Sequence, residues 1–344
     1  MSGGTGPDSD RGSGFDPVSF LEDAVRIPSH ESPDEMREFV VDLLDDRGAD
    51  PAVVADGCVL AEKRSPVPDA GPHLVLNTHL DTVTPHVAFE RDRAATGAEA
   101  GGTGGTADSS ETGSPDDPGE TEEPSEAGVI RGRGACDAKG PLAALVYGFL
   151  AAEPERGRLT LAVTPDEETL SLGAAALTGA LPGAEDRLAG DLYLVGEPTG
   201  LDACTAAKGR FQGRVELSGR AAHAAEFAGV NAVAAAEDVL AAIRRFDEDA
   251  HDHPQLGPPK LTPTVIEGGA ATNQVPADCA VTVDRRSVPP ETAEGFRRAL
   301  AAAVREATDA SVGVEVTLTE RESPFFEAFS TDPDHAFVSA VADA

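Results

Sequence analysis

Apolar and polar positions in the first half of the chain predict helices and strands in alternation. Short, nearly continuous apolar runs are typical of buried strands, and apolar residues three and four apart are typical of amphipathic helices. These patterns predict helices at residues 20–25, 35–44 and 139–152 and strands at residues 73–78, 159–164 and 191–195. Because strands alternate with helices, we expect an α/β domain whose mostly parallel sheet is flanked by helices.

The second half of the chain has a different order of elements. Its pattern predicts a strand at 211–218, a helix at 230–246, strands at 261–267 and 280–284, a helix at 291–308 and a strand at 314–318. The order βαββαβ is typical of a ferredoxin-like α+β domain, inserted into the first domain if the chain then returns to it. The Asp-Pro-Asp segment at 332–334 predicts a helix start. Since no strand follows, we expect a C-terminally shortened chain.

Composition divides the chain further. Between residues 94 and 127 there is no Lys, Arg or aromatic residue, and Ala is the only apolar side chain, so this acidic insertion has too little to bury and is predicted to be disordered. The expected organisation is a disordered head (1–15), a first domain (16–202), a second domain (203–322) and the start of a return to the first domain (323–344).

The charge of the chain excludes some classes of partner. Its 344 residues include 61 acidic and 27 basic residues, which gives a net charge of −34. Nucleic acid and anionic membranes would be repelled, so we expect neither as a partner. Only 4 of the 27 basic residues are Lys and the other 23 are Arg, a pattern that with this acid excess resembles proteins of halophilic cells.

Cysteine usage and the N-terminus indicate a cytoplasmic protein. The four cysteines are far apart and form no CxxC pair, which argues against a disulfide framework and against a zinc–thiolate site. The first residues lack a basic segment followed by an apolar one, so no signal peptide is evident. No apolar run is long enough to span a bilayer.

Side chains that bind metals follow the predicted strands or precede a predicted helix. They are His79, Asp81, Asp137, Glu167, Glu168 and Glu197. Ligands of parallel sheets collect beyond the carboxyl ends of the strands, which is where most of these side chains fall. One imidazole with several carboxylates is a ligand set for a metal centre that activates water.

Each of these clusters also has a simpler interpretation. His79 and Asp81 are two apart on extended backbone and point to the same side, so Asp81 could accept a hydrogen bond from a metal-binding His79, but both could also belong to an ordinary surface turn. Asp137 could cap the helix that follows it. Glu167 and Glu168 could be two solvated acids of an acidic protein.

The motifs taken together resemble the M20 family of metallohydrolases, which includes acetylornithine deacetylase, succinyl-diaminopimelate desuccinylase, aminoacylases and carboxypeptidases. The resemblance extends from about Phe20 to the last residue, apart from the acidic insertion. It rests on His-Leu-Asp at 79–81, Gly-Arg-Gly-Ala-Cys-Asp-Ala-Lys-Gly at 132–140, Glu-Glu at 167–168 and Gly-Glu-Pro at 196–198, in this order.

The resemblance implies that the first domain (16–202) is a catalytic, metal-binding domain with a zinc-exopeptidase-like fold, and it implies a role for each residue of the set. Two zinc ions, or cobalt in their place, would be bound, one by His79 and Glu197 and the other by Glu168. Asp137 would bridge the two ions. Glu167 would be the general base, and Asp81 would orient His79.

For the second domain the resemblance implies a lid that also forms a homodimer. His223, in Gly-Arg-Ala-Ala-His-Ala, would reach the active site of the partner subunit, although a lone His among alanines is more often a packing or surface residue. Asn273 and Arg286 would hold the backbone and carboxylate of the substrate. An ion pair with Asp284 is an equal alternative for Arg286.

One ligand of the family pattern is missing. A His near the C-terminus would complete the second metal site, but no His follows His335, and His335 lies at the start of a predicted helix and does not match the motif. The first site, with His79, Asp137 and Glu197, has three protein ligands, whereas the second keeps only Asp137 and Glu168.

The function implied is a metal-dependent amidohydrolase that uses a metal-activated water to cleave an N-acyl amino acid, as a deacetylase or desuccinylase of amino-acid biosynthesis. A dipeptidase or carboxypeptidase acting on short peptides is the first alternative. A catalytically impaired metal-binding or dimerisation module is the second. The presence of Glu167, which has no ligand role, argues against this last alternative.

Overall fold

The computed structural model describes residues 14–92, 128–181, 183–184 and 188–343. Most of the predicted head and the whole predicted insertion at 94–127 lie outside the described residues. The described residues divide into two compact units, which lie within Met1–Pro198 and Thr199–Ala344. Each unit has its own sheet and its own apolar core.

The described part of the first unit contains four α-helices and seven strands. The helices are α1 (Pro17–Arg26), α2 (Asp34–Asp46), α3 (Lys139–Ala151) and α4 (Leu172–Leu177). The strands are β1 (Ala52–Val54), β2 (Cys58–Arg64), β3 (His73–His79), β4 (Glu90–Asp92), β5 (Val129–Arg131), β6 (Arg158–Thr164) and β7 (Leu192–Val195).

Five of these strands form one sheet in the order β1–β2–β6–β3–β7. β3 is parallel to both β6 and β7, whereas β2 is antiparallel to β6 and β1 is antiparallel to β2. The expected α/β class is confirmed, and the sheet is mixed because β1 and β2, which the sequence did not predict, extend it at one side. The carboxyl ends of β3, β6 and β7 therefore meet at one edge.

Helix α1 begins where the sequence provides a cap and a fixed backbone angle. Oδ1 of Asp16 accepts a hydrogen bond from the backbone N–H of Val18 at 3.0 Å, and Pro17 occupies the first helical position. The buried residues of α1 pack with those of α2, α3 and the sheet. The buried apolar core of this unit includes Phe20, Ala24, Met36, Val40, Leu76, Leu80, Leu142, Val146, Phe149 and Leu161.

The described part of the second unit contains three α-helices and eight strands. The helices are α5 (Ala232–Arg245), α6 (Ala293–Ala307) and α7 (Ala336–Ala342). The strands are β8 (Ala206–Ala207), β9 (Gly209–Ser218), β10 (Ala222–His223), β11 (Lys260–Gly268), β12 (Gln274–Val275), β13 (Asp278–Ser287), β14 (Gly313–Leu318) and β15 (Phe329–Ser330).

The second unit has the ferredoxin-like topology predicted from its element order. Its four-stranded sheet runs β11–β13–β9–β14, with every neighbouring pair antiparallel. Buried and exposed residues alternate along β9, so one face of the sheet packs against the helices and the other carries polar side chains. The core on the packed face includes Phe211, Val215, Val239, Ile243, Val281, Val283, Phe296 and Leu300.

The last helix begins later than the sequence predicts. Oδ1 of Asp332 accepts a hydrogen bond from the backbone N–H of Asp334 at 2.9 Å, so this segment forms a turn and not a helix start. The residue that caps α7 is His335, whose Nδ1 accepts from the N–H of Phe337 at 3.2 Å. Among the described residues, no helix is both long enough and apolar enough to cross a membrane.

Candidate metal centre

The three parallel strands place most of the predicted ligand residues at one edge of the first unit's sheet. His79 is the last residue of β3, Glu167 and Glu168 follow β6, and Glu197 follows β7. Because the strands are parallel and adjacent, residues after their carboxyl ends lie near one another despite being far apart in sequence.

Hydrogen bonds continue the sheet pattern past the strand ends and fix these positions. The N–H of Leu80 donates to the carbonyl of Thr164 at 2.8 Å, and the N–H of Gly196 donates to the carbonyl of Asn77 at 2.8 Å. The hydroxyl of Thr78 donates to the carbonyl of Gly196 at 3.1 Å. The backbone before Glu197 is thereby held against β3.

The imidazole of His79 lies at the centre of the group, with its side chain only 1% exposed. Its Nδ1 lies 3.0 Å from the carbonyl oxygen of Asp81 and 3.2 Å from Oδ1 of the same residue. Its Nε2 lies 3.2 Å from Oδ1 of Asp137 and 3.9 Å from Oε1 of Glu197. One nitrogen therefore faces Asp81, and the other faces the carboxylates contributed by distant segments.

The carboxylate of Asp81 holds more than the imidazole. Its Oδ1 also accepts a hydrogen bond from the backbone N–H of Glu167 at 3.0 Å, and its Oδ2 accepts from the N–H of Glu168 at 3.0 Å. Asp81 is itself 7% exposed. This buried carboxylate therefore joins the end of β3 to the turn after β6.

Asp137 lies in a turn before α3 and does not cap that helix. The N-cap residue is Ala138, and no side chain makes a capping hydrogen bond there. The Asp137 side chain is 52% exposed and directs Oδ1 towards Nε2 of His79. The helix-capping alternative for Asp137 is therefore wrong in this structure.

His79, Asp137 and Glu168 each offer a ligand atom, and these atoms lie within 4.8 Å of one another. Glu197 approaches the same imidazole nitrogen from the end of β7. The structure thus brings the four predicted ligands together around the imidazole of His79, with Glu167 nearby.

The crowding of carboxylates has an electrostatic consequence. Partial burial, and after it the neighbouring carboxylates, raise the pKa values of Glu167, Glu168 and Glu197 above the usual value of a glutamate, while the charge of His79 lowers them. With all of these effects together, the pKa of Glu197 is about 6. Negative groups that repel one another in a partly buried site favour a bound cation.

The protonation of His79 tests whether the site fits a metal ion. Nδ1 carries a proton because it faces two oxygen acceptors of Asp81. If the ring were neutral, Nε2 would carry a lone pair that points at the carboxylate oxygens of Asp137 and Glu197. Burial disfavours the imidazolium, but Asp81, Glu197 and Glu167 outweigh burial and raise the pKa of His79 to about 9. A proton or a metal ion is needed between Nε2 and the carboxylates, so the donor set fits a metal ion.

In the second unit, His223 and Asn273 lie side by side. β10, which ends at His223, pairs with β12, and the N–H of Ala224 donates to the carbonyl of Asn273 at 2.9 Å. Nδ1 of His223 accepts from the N–H of Ala225 at 3.2 Å. Both side chains are exposed and line one shallow surface pocket.

Arg286 forms an ion pair with Asp284, the alternative to a role in binding the substrate. Its Nε donates to Oδ1 of Asp284 at 2.8 Å, and Oδ2 of the same carboxylate accepts from Arg210 at 3.2 Å. The Arg286 side chain remains 49% exposed. Its neighbour Arg285 is buried and bonded to Asp247 and Glu291 within the core side of the sheet.

Two residues near the centre make contacts that the sequence did not predict. Oδ2 of Asp166 accepts from the N–H of Leu172 at 2.6 Å and Oδ1 accepts from Gly173 at 3.0 Å, so Asp166 holds the other side of the turn that carries Glu167. Lys139 is buried beside Asp137. A signal for Lys139 was present in the sequence, since the chain keeps so few lysines among its basic residues.

Comparison with known proteins adds independent findings. Residues 205–311 match a family model described as a peptidase dimerisation domain. A protein of Pyrobaculum aerophilum, assigned as a LysW-lysine/LysW-ornithine hydrolase, is 31% identical over 288 residues, which cover 83% of this chain and 70% of that protein.

Two further proteins are similar over different extents. An acetylornithine deacetylase of Myxococcus xanthus is 32% identical over 175 residues, 48% of this chain and 44% of that protein. A crystal structure from Bacillus subtilis, described as a dinuclear metal-binding peptidase of the M20 family, superposes with a TM-score of 0.55 at 13% identity, covering 92% of this chain and 75% of that one. At that identity the likeness shows a shared fold.

Asp81→Asn should weaken zinc binding by about 10- to 100-fold, the usual effect of losing a residue that orients a metal-binding His. The amide keeps one acceptor oxygen for three N–H donors and turns an NH₂ group towards one of them. Isothermal titration of the metal-free protein measures the change. Asp69→Asn, in an exposed turn of the same unit, is the matched control, and equal affinity in the two variants would contradict this role for Asp81.

In the metal-free protein His79 should stay protonated until about pH 9, because its folded pKa lies above the ordinary value of about 6.5. The imidazolium therefore persists through neutral pH and is lost only as the pH rises through 9. NMR titration of the imidazole resonances, with His79→Gln used to assign the signal, measures this midpoint. A midpoint near 6.5 would show that the carboxylates do not act on His79 as the geometry requires.

Proposed function

This chain belongs to the M20 family of metallohydrolases, and we propose that it hydrolyses the amide bond of an N-acyl amino acid at a centre for two metal ions. The observation that carries the proposal is the position of His79, whose free nitrogen points into a group of carboxylates delivered by the ends of parallel strands. The donor set of one imidazole and several carboxylates suits zinc, with cobalt as a substitute.

We assign the ligands as follows. His79 and Glu197 would hold one ion and Glu168 the other, with Asp137 shared, so the second ion would have only Asp137 and Glu168 among the assigned ligands. Support comes from the distances of 3.2 Å and 3.9 Å between Nε2 of His79 and the carboxylates of Asp137 and Glu197, and from the closeness of Glu168 to the same group. Asp81 orients His79 through Nδ1.

The protein's own residues then carry the proton transfers. When bound, the ions supply a Lewis acid and lower the pKa of water. Glu167 takes a proton from the water that attacks the amide carbon and delivers it to the nitrogen as the C–N bond breaks, which yields a carboxylic acid and an amine. Its pKa is raised by partial burial and by nearby carboxylates, which makes its carboxylate a better base.

The second unit contributes groups that hold the substrate. We propose that His223 donates a hydrogen bond to the carbonyl oxygen of the scissile amide in the partner subunit and that Asn273 and Arg286 bind the backbone and carboxylate of the substrate. Support comes from the exposed pocket that His223 and Asn273 share and from the half-exposed guanidinium of Arg286. Asp284 already occupies one donor of that guanidinium, so the substrate would meet the remaining N–H groups.

The names of two relatives favour a basic amino acid as the released amine. The Pyrobaculum protein is named for lysine and ornithine conjugates, and the Myxococcus protein for acetylornithine. We therefore propose an N-acylated ornithine or lysine of amino-acid biosynthesis as the first substrate to test, with succinyl-diaminopimelate next. A dipeptidase or carboxypeptidase activity is the second candidate, because the Bacillus structure is described as a peptidase.

A competition assay tests this choice of substrate. The protein is given, with added zinc or cobalt, a mixture of acetylornithine, succinyl-diaminopimelate, a LysW-lysine conjugate and dipeptides, and the released products are measured. Molar salt is included because a net charge of −34 suits a halophilic cytoplasm, where salt screens the self-repulsion. Preferential release of ornithine or lysine supports the biosynthetic proposal. Preferential cleavage of the dipeptides would support the peptidase instead.

Glu167→Gln should lower kcat by about 10²- to 10⁴-fold while zinc affinity stays within about twofold, since the amide cannot accept the proton. Glu168→Gln, the adjacent isosteric change, should instead weaken zinc binding because it removes a ligand. Steady-state kinetics and calorimetric titration separate the two effects. If Glu167→Gln loses zinc as Glu168→Gln does, or keeps full turnover, the assigned base is wrong.

We also propose that the second unit forms a homodimer through the edge strand β11, whose Val265 and Ile266 are 50% and 53% exposed. Ile266→Lys should then raise the dimer dissociation constant by at least about tenfold, since charge on an open edge opposes strand pairing. Sedimentation equilibrium measures the constant. Val53→Lys, on the exposed edge strand β1 of the first unit, is the control. A dimer unaffected by Ile266→Lys would exclude this edge.

A further inference from the structure

Lysine is rare in this chain, and the places where it occurs share a feature. Of the 4 lysines, Lys63, Lys139 and Lys208 each donate a hydrogen bond from Nζ to a backbone carbonyl. A compact ammonium with three rotatable donors suits a carbonyl cluster, whereas the planar guanidinium of Arg suits carboxylates. Three of the four lysines of this chain thus donate to backbone carbonyls.

Lys139 is the most deeply buried of these lysines, with 1% of the residue exposed. Its Nζ donates to the carbonyl of Ala24 at 2.9 Å and to that of Ile27 at 2.6 Å, 115 and 112 positions away in sequence. These carbonyls lie at the C-terminal end of α1, the negative end of the helix dipole. No ion pair within the described residues involves Lys139, so its hydrogen bonds to α1 are what compensate its burial.

The glycines of the 132–140 motif allow the loop to close around this side chain. A Cβ on Gly134 would lie 2.9 Å from Cδ of Lys139, and one on Gly132 would lie 2.3 Å from Cγ1 of Val25 in α1. The N–H of Lys139 donates to the carbonyl of Gly134 at 2.9 Å. The loop is therefore packed on α1 with the lysine stem between them.

Asp137 depends on this packing for its position. It lies two residues before Lys139, in a turn outside the strands and helices, and its carboxylate does not cap α3. Within the described residues, the only hydrogen-bonding contact of its side chain is with Nε2 of His79. The backbone that Lys139 anchors must therefore set the 3.2 Å approach of Asp137 to His79.

The segment that follows α1 also contacts the loop that carries Asp81. The carbonyl of Ser29 accepts a hydrogen bond from the N–H of Thr82 at 3.2 Å, and Thr82 directly follows Asp81. Residues 24–29 thus bind the loop of His79 and Asp81 through Ser29 and the loop of Asp137 through Lys139. One short segment therefore contacts both loops.

We propose that Lys139 is a positioning residue that holds the Asp137 loop on the C-terminal end of α1 and so keeps Asp137 at bridging distance from His79. This inference rests on the proposed function of the centre. It assigns to Lys139 no contact with substrate and no part in proton transfer.

Lys139→Met keeps most of the stem and removes the amine. We expect cobalt affinity at the centre to fall at least tenfold, the visible absorption spectrum of the bound cobalt to change because Asp137 is displaced, and kcat to fall more than KM rises. Cobalt titration by absorbance and calorimetry measures the first two effects without relying on turnover.

Lys63→Met is the matched control. Lys63 makes the same kind of contact, with its Nζ 2.8 Å and 3.0 Å from the carbonyls of Leu150 and Ala152 at the end of α3, but on a strand remote in sequence from the ligands. We expect it to lower the thermal unfolding midpoint about as much as Lys139→Met while leaving cobalt affinity and spectrum unchanged. Equal loss of cobalt in both variants, or unchanged cobalt binding in Lys139→Met, would overturn the inference.

A second variant covers the case in which Lys139→Met does not fold. Gly134→Ala keeps the amine but adds a methyl group against the lysine stem and 2.8 Å from Cγ2 of Thr82, so it should weaken cobalt binding in the same direction. A folded Gly134→Ala protein with unaltered cobalt binding would contradict the inference. Failure of the unsubstituted protein to bind cobalt would instead refute the proposed centre itself.

Discussion

The carboxylate of Asp81 is the contact on which the rest of the centre depends. It receives the imidazole N–H of His79 and the backbone N–H groups of Glu167 and Glu168, so one buried group determines where the end of β3 lies relative to the turn after β6. Hydrogen bonds to a carboxylate are stronger than those between neutral groups, and burial strengthens them further. His79 and Glu168, two of the proposed ligands, and Glu167, the proposed base, are thereby held by the same carboxylate.

This arrangement concentrates negative charge in a chain that is already strongly acidic. Five carboxylates, those of Asp81, Asp137, Glu167, Glu168 and Glu197, gather around one imidazole in a protein with 61 acidic residues and 27 basic ones. Burial and neighbouring carboxylates raise the pKa of Glu197, and nearby carboxylates raise the pKa of His79 although burial lowers it, so both groups hold a proton more strongly than usual. A bound cation would remove the need for these protons, which is why the site fits a metal better than it fits a structural cluster of acids.

The two units use their sheets differently. In the first, the carboxyl ends of parallel strands are the functional edge, and helices cover the sheet around an apolar core. In the second, an antiparallel sheet packs one face on helices, while the other face and the edge strand β11 stay exposed. A scaffold of this kind can present His223 and Arg286 without building a centre of its own, in keeping with the match of this region to a peptidase dimerisation domain.

The amino-acid sequence by itself predicted most of the longer helices and strands and the residue types that gather at the candidate centre. Short apolar runs followed by acids predicted β3, β6 and β7 with the proposed ligands that follow them, and the two-residue spacing of His79 and Asp81 predicted that they would meet, because period-two geometry is local. The sequence did not reveal the antiparallel β1 and β2. Only the tertiary structure showed three further features of the centre. Asp81 accepts hydrogen bonds from two backbone N–H groups, Asp137 does not cap α3, and Lys139 contacts the end of α1. These features depend on how segments distant along the chain pack together, as Lys139 with Ala24 and Glu167 with Asp81. The local spacing of residues does not predict such contacts, because they form only when the sheet packs against α1 and α3.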